Sequence, residues 1–284
     1  MTTHFLGLIS LLMTHGFSPE DSAIGSVQPT VAEVTSPLHV MASGFGTLGS
    51  YSTGTDLRSA SGYVSLSNSW RDYYTVGYAN LWLERSDAGG KYYSQNFVSG
   101  RVTKFVSQRV SLTGLYGFLD EGEIEFYSGA AVFHWIGAGA NYWFSYTHVA
   151  GASAAVSLSK GNLAASALRG YFSFDVLNGI WTTSTIVVTG AEWSPTFLTF
   201  HQTLSVPLGN ENYIVATADF GRRGFYLDDE SLVVYNQRAI QTGSYAAKAT
   251  IKLTSGIFLI PSFEYDTFDD FNAKYGSIGV RAVF

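Results

Sequence analysis

The chain has 284 residues, room for one large domain or two average ones. Only 13% of its residues are charged, against about 25% in soluble domains; a soluble protein this poor in charge would need long apolar stretches for a core, and the sequence does not supply them. The lack of Cys excludes disulfides and thiolate metal sites and fits an oxidising export route, while a net charge of −6 argues against nucleic acid as a partner.

In chain order, residues 5–13 (FLGLISLLM) form the longest strongly apolar run. It falls well short of the roughly 20 residues that a transmembrane helix needs, but has the length of the apolar region of a secretory signal. Ala23 and Gly25 supply the small residues of a cleavage site, so 1–25 reads as a signal or leader segment, although no Lys or Arg precedes the apolar run. Residues 26–37 read as a polar lead-in and 38–284 as a single domain of short strands.

From residue 38 onward no segment sustains a 3.6-residue period. Turn chemistry recurs at 51–57, 70–72, 86–90, 107–108, 120–123, 137–140, 150–153, 160–162, 175–179, 194–196, 209–212, between 221 and 230, and at 241–243, 254–256 and 267–272. Fifteen turns imply sixteen strands, whereas length alone, at about 20 residues per strand and connection, allows 12 to 14. The chain therefore reads as an all-β, antiparallel, up-and-down transmembrane barrel of about 16 strands, within a range of 12–16. An even number keeps both ends on one side of the membrane.

The turns also sort by parity. Odd ones carry Asp56, Asp87, Asp120, Glu121, Glu123, Asp175, Glu211, Asp269 and Asp270; even ones are shorter and hold Arg71, Lys160, Ser194-Pro195-Thr196 and Ser255-Gly256. With the N-terminus periplasmic, the odd turns become extracellular loops, none of them an obvious plug.

Period-2 alternation is clearest near the C-terminus. Tyr245, Ala247, Ala249, Ile251 and Leu253 share one face against Lys248, Thr250 and Lys252; Ile257, Leu259, Phe263 and Tyr265 oppose Ser262, Glu264 and Asp266; Leu198, Phe200, Leu204 and Val206 oppose Thr199, His201 and Thr203. A Lys or Arg facing lipid at mid-bilayer costs about 2–4 kcal/mol, so these charges belong in the lumen. The candidate lumen-lining residues are Arg101, His201, Lys248, Lys252, Glu264, Asp266 and Arg281. Segments 73–85 and 180–193 alternate less cleanly, as strands buried on both faces would. Pro261 removes a ladder hydrogen bond and is expected to mark a bulge.

The last segment, 275–284 (YGSIGVRAVF), resembles the C-terminal assembly signal of bacterial outer-membrane β-barrel proteins. Ser277, Gly279, Ala282 and Phe284 occupy its polar, glycine, apolar and aromatic places, and Ile278 and Val280 extend the lipid-facing row. Ala282 is smaller than the residue usual there. The resemblance implies residence in the outer membrane of a Gram-negative-type bacterium, contact with its lipid and lipopolysaccharide, and recognition by the barrel assembly machinery. Residues 42–49 (ASGFGTLG) look like the opening strand of porin-like proteins. Across 60–284 the spacing is similar to the YaiO-type family of outer-membrane barrels, with Trp70 at a strand entry and Leu115-Tyr116-Gly117 ahead of an acidic loop. Neither likeness specifies a substrate.

Catalytic and metal chemistry find little support. His134, His148 and His201 lie in strands without HExxH or His-x-His spacing. Outer-membrane phospholipases carry a His two residues before a Ser that is followed by Asn-Gly; His148 is followed by Val149-Ala150-Gly151. Asp228-Asp229 and Asp269-Asp270 imitate the paired acids of outer-membrane proteases but read more simply as solvated charge. Residues 137–140 (GAGA) lack the Lys and helix of a phosphate cradle and read as a turn. Tyr73, Tyr74, Trp82, Tyr92, Tyr93, Trp135, Tyr142, Trp143, Trp181 and Trp193 read as interfacial girdles, with a stack of sugar-binding aromatics along the lumen as the alternative. The expected function is a passive, weakly selective channel for small solutes, with no enzymatic activity, metal or cofactor. The alternatives are a closed structural or receptor barrel acting through its loops or an envelope protein partner, and, third, an outer-membrane lipid hydrolase or protease. A soluble propeller or solenoid would show a fixed repeat, and none is visible.

Overall fold

Strands that are apolar outward and polar inward can satisfy every backbone group within a bilayer only by closing on themselves. In a computed structural model the chain does close. The structure describes residues 38–284 apart from 68–71, 86–89, 122–131, 178, 192–193, 225, 229–232 and 236–238. The expected leader 1–25 and lead-in 26–37 lie outside the described residues, as do Trp70, Arg71, Asp87, Glu123, Trp193 and Asp229.

The strands are β1 (His39–Tyr51), β2 (Thr55–Ser67), β3 (Tyr73–Arg85), β4 (Gly90–Phe105), β5 (Val110–Glu121), β6 (Val132–Ser145), β7 (His148–Ser159), β8 (Asn162–Leu177), β9 (Ile180–Ala191), β10 (Ser194–Gly209), β11 (Asn212–Arg223), β12 (Tyr226–Asp228), β13 (Val233–Tyr235), β14 (Gln241–Thr254), β15 (Ile257–Phe268) and β16 (Asn272–Val283). All but β12 and β13 join one closed antiparallel barrel of fourteen strands, sealed by β1 against β16. The barrel strands exceed the roughly 9–11 residues that a tilted strand needs to cross a bilayer. Both ends of the barrel chain emerge on one side, the terminus end; the opposite side is the loop end. The longest connections, 122–131 and 224–240, both leave the loop end. The second contains the β12–β13 hairpin, and the β12 backbone comes near β8 and β9.

The strand number is therefore fourteen, inside the expected range but below the sixteen that turn chemistry favours. Two expected turns, 137–140 and 150–153, are instead the middles of β6 and β7, paired as Gly137↔Ala155, Gly139↔Ser153 and Asn141↔Gly151. Packing is the reason. A Cβ on Gly151 would collide with Asn141 Oδ1 and the Tyr171 ring, and one on Gly137 would lie 2.9 Å from Leu115 Cγ. These glycines admit large inward neighbours and do not turn the chain; the hairpin itself is at Tyr146-Thr147. The turn expected at 241–243 is the start of β14.

With one turn fewer before residue 160, each connection from there to β14 changes ends, and the loss of the 241–243 turn restores the parity of the last two. Asp56, Asp120, Glu121, Asp269 and Asp270 do share the loop end, but Asp175 and Glu211 lie at the terminus end, and Lys160 and Ser194 at the loop end. Pro261 makes no bulge: it pairs in register with Ile278.

The outer wall carries exposed Leu48, Val64, Val76, Val98, Ile136, Leu168, Ile186, Leu198, Phe263, Ile278 and Val280. An apolar belt right round a ring is unsustainable in water and is what lipid requires. The poor alternation of β3 arises because its inward face is apolar too, with Ala79, Leu81 and Leu83 buried opposite exposed Val76 and Tyr78. β9 alternates well, but through Thr183, Thr185 and Thr189 inside.

Candidate functional site

The interior has two unlike walls. On β5–β11, β14 and β15 the register aligns one continuous inward row: Asp266, Ser244, Asp219, His201, Thr185, Tyr171, Gly151, Asn141 and Ser111. Its members bond along the row and to the rows beside it. Asp219 lies 2.5 Å through Oδ1 from His201 Nδ1 and accepts an ion pair at 2.8 Å from Arg223 on its other oxygen. His201 Nε2 is 2.9 Å from Thr203 Oγ1. Arg223 also donates to Gln241, and Ser244 donates to Glu264 at 3.0 Å. Farther along, Tyr171 donates to Asn141 at 2.7 Å, Asn141 donates to Ser111 at 3.1 Å, and the Arg169 guanidinium sits 5.1 Å from the Tyr171 ring centre.

The other wall, on β1–β6, β15 and β16, is apolar toward the loop end. Tyr51, Leu57, Leu83, Tyr93, Leu119, Phe133, Trp135, Phe268 and Tyr275 form one buried cluster. Inward glycines let several rings lie flat against the wall. A Cβ on Gly77 would meet the Tyr63 ring at 2.5 Å, and one on Gly117 the Phe97 ring at 2.9 Å.

All seven residues expected to line the lumen point inward. The structure gathers His201, Glu264 and Asp266 with Lys248 on the polar wall; Arg101 on β4 and Arg281 on β16 are buried on other strands. Lys252 sits at the terminus-end rim and pairs with Glu211 of the β10–β11 turn. Because Glu211 is 62% exposed, replacing it with Ala is expected to lower stability by less than about 1 kcal/mol, measured as the urea midpoint of the vesicle-inserted barrel. Sequence reasoning misses Asp219, Arg223, Gln241, Arg169 and Tyr171. Arg169 is accessible to the same logic as Lys248, since exposed Leu168 and Phe172 flank it on the outer face.

The other strand histidines stand apart. His134 faces outward, with Nδ1 2.7 Å from the Tyr116 hydroxyl, and His148 lies at the terminus-end rim beside Ser145 and Thr147. Among the described residues no group of three or more metal-ligating side chains converges. The expected girdle divides: Tyr74, Trp82 and Tyr142 face outward, whereas Tyr73, Tyr93, Trp135, Trp143 and Trp181 point inside, where Tyr93 and Trp135 pack in the apolar wall. In the last strand, Ser277 shares a 2.5 Å hydrogen bond with Ser262, Gly279 lies under Phe45, Ala282 pairs with Ala42, and the Phe284 amide donates to Val40 at 2.9 Å.

A closed meander, oily outside and polar along one inner wall, decides the architecture. The fold is that of a transmembrane β-barrel. Solved structures that share it include a deltaS2 mutant of the TodX monoaromatic hydrocarbon channel, 8% identical, covering 87% of this chain and 88% of that one, with a TM-score of 0.53. The CymD monoaromatic hydrocarbon channel is 7% identical over 87% and 88%, TM-score 0.50. A deltaS2S3 mutant of the TodX channel is 9% identical over 87% and 89%, TM-score 0.52. At such identities the likeness is one of fold. No family model and no curated relative matches the barrel's sequence, so the YaiO-type likeness rests on spacing alone.

Proposed function

We propose that the chain is an outer-membrane channel that passes small solutes without coupling to any reaction, its loop end extracellular and its terminus end periplasmic. The observation that carries this reading is the polar row, interrupted at Gly151 and bridged there by the Tyr171–Asn141 hydrogen bond. A barrel that only had to stand in lipid could fill its inside with apolar side chains; this one sets hydroxyls, amides and charges on eight of nine adjacent strands. Among the described residues the buried inward charges are five cations (Arg101, Arg169, Arg223, Lys248, Arg281) and three carboxylates (Asp219, Glu264, Asp266). Mixed signs without a ring of one charge favour weak selectivity, leaning toward anions. The apolar wall opposite favours solutes with an oily side, in keeping with two fold neighbours named as hydrocarbon channels. Ser277, Gly279, Ala282 and Phe284 would present the last strand to the barrel assembly machinery.

The expected result is discrete conductance in planar bilayers, and solute flux from liposomes, for refolded protein that shows heat-modifiable gel mobility. Folded protein with neither conductance nor flux would overturn the channel. A closed receptor barrel, the second reading, is favoured by one observation: inward Leu83, Leu119, Trp135 and Asp266 have no accessible surface. Flux restored only when the 224–240 connection is shortened would support a capped channel over a solid barrel.

A further inference from the structure

We propose that the outer wall over β2–β5 binds one anionic phospholipid of the leaflet at the terminus end, with an acyl chain in a groove floored by Gly100 and Gly114 and the headgroup phosphate against Lys104. The inference rests on the membrane placement proposed above but not on conductance. Two successive outward rows build the groove. Leu66, Tyr74, Val102 and Gly114 are register partners in one; Val64, Val76, Gly100 and Tyr116 are partners in the next. At 100 and 114 the wall has no side chain. A Cβ on Gly114 would meet nothing within 4 Å, and one on Gly100 only the Thr75 carbonyl oxygen at 3.9 Å. Around this bare floor Val64, Val76, Val102, Tyr74 and Tyr116 border an open hollow of about 650 Å³, within the roughly 300–1,000 Å³ of small-molecule pockets.

Such a hollow in a bilayer is filled by hydrocarbon, because water gains no partners from apolar walls. The position of charge selects a phospholipid chain. Lys104 is exposed, faces outward, and lies two residues beyond Val102 toward the terminus end, about 7 Å along the strand. It makes no ion pair or hydrogen bond among the described residues. Arg109, also exposed, follows in the adjoining turn. The nearby acid, Asp72, accepts a hydrogen bond from the Phe105 amide at 3.2 Å. An apolar trough with basic side chains at its interfacial end matches the layout of an anionic lipid, and basic residues near a bilayer surface attract such headgroups.

The test uses the full-length barrel in vesicles of mixed phosphatidylglycerol and phosphatidylcholine, each spin-labelled in turn on the acyl chain. Wild type is expected to show a motionally restricted lipid component that prefers phosphatidylglycerol. Gly100→Leu with Gly114→Leu should abolish that component, since both side chains project into open space and leave the barrel intact, checked by gel mobility and an unchanged β-sheet circular dichroism spectrum. Lys104→Gln should keep the restricted chain but lose the headgroup preference. An unchanged restricted fraction in the double leucine variant would overturn the proposal, and so would a headgroup preference that survives Lys104→Gln. Cross-linking of a Gly114→Cys variant into a dimer, with no restricted lipid in wild type, would assign the groove to a second copy of the chain and reject the lipid.

Discussion

Replacing Gly279 with Leu is expected to stop the barrel from closing. Gly279 faces inward on β16 opposite Phe45 of β1, and a Cβ there would fall inside the Phe45 ring's contact distance. The ring has little freedom to swing away: it meets the Tyr63 ring edge-on at 6.3 Å, and Tyr63 itself lies over Gly77. Overpacking in a yielding core costs about 1–3 kcal/mol, but this contact lies on the seam that joins the two ends of the chain. A seam that fails leaves two bare strand edges, which a bilayer does not accept. The fast-migrating folded band should therefore be absent after refolding of Gly279→Leu and return in Phe45→Ala/Gly279→Leu. Wild-type folding of the single variant would show that this packing does not govern closure.

Glycine packing also separates the features legible in the sequence from those that were not. Charges at every second position of β14 and β15 can be placed because lipid forbids them on the other face, and Lys248, Glu264 and Asp266 are indeed buried inside. Short hairpins are legible where the backbone itself demands left-handed geometry, as at Lys160-Gly161 and at Gly209-Asn210-Glu211, all with positive φ. Glycines in β6 and β7 look the same in sequence, yet they serve close approach by Leu115 and Tyr171, residues set by the register of other strands. Counting one such glycine run as a turn flips the parity of every connection from there to β14, which puts Asp175 and Glu211 at the wrong end. The partners of His201 are hidden for a related reason. Asp219 is eighteen residues away and meets it only through the β10–β11 register.

Asp219→Ala is expected to lower the unfolding free energy by about 3–5 kcal/mol, as removing one partner of a buried ion pair does. Asp219 and Arg223 have side chains only 8% and 5% exposed, and Asp219 holds both the guanidinium and the His201 ring. The substitution leaves a buried cation without that carboxylate, while Asp219→Asn, which keeps one acceptor, should lose less. Urea unfolding of vesicle-inserted protein provides the measurement, and its size also reports on hydration. If water reaches this level of the lumen, screening reduces the loss to about 0.2–1 kcal/mol, the range of exposed pairs. A large loss together with open conductance would place the water path away from β10 and β11, between the polar row and the apolar wall. A large loss without conductance would favour the closed barrel. An unchanged midpoint would mean that the Asp219 contacts contribute nothing in the membrane, and the polar row could then no longer be treated as a structured lining.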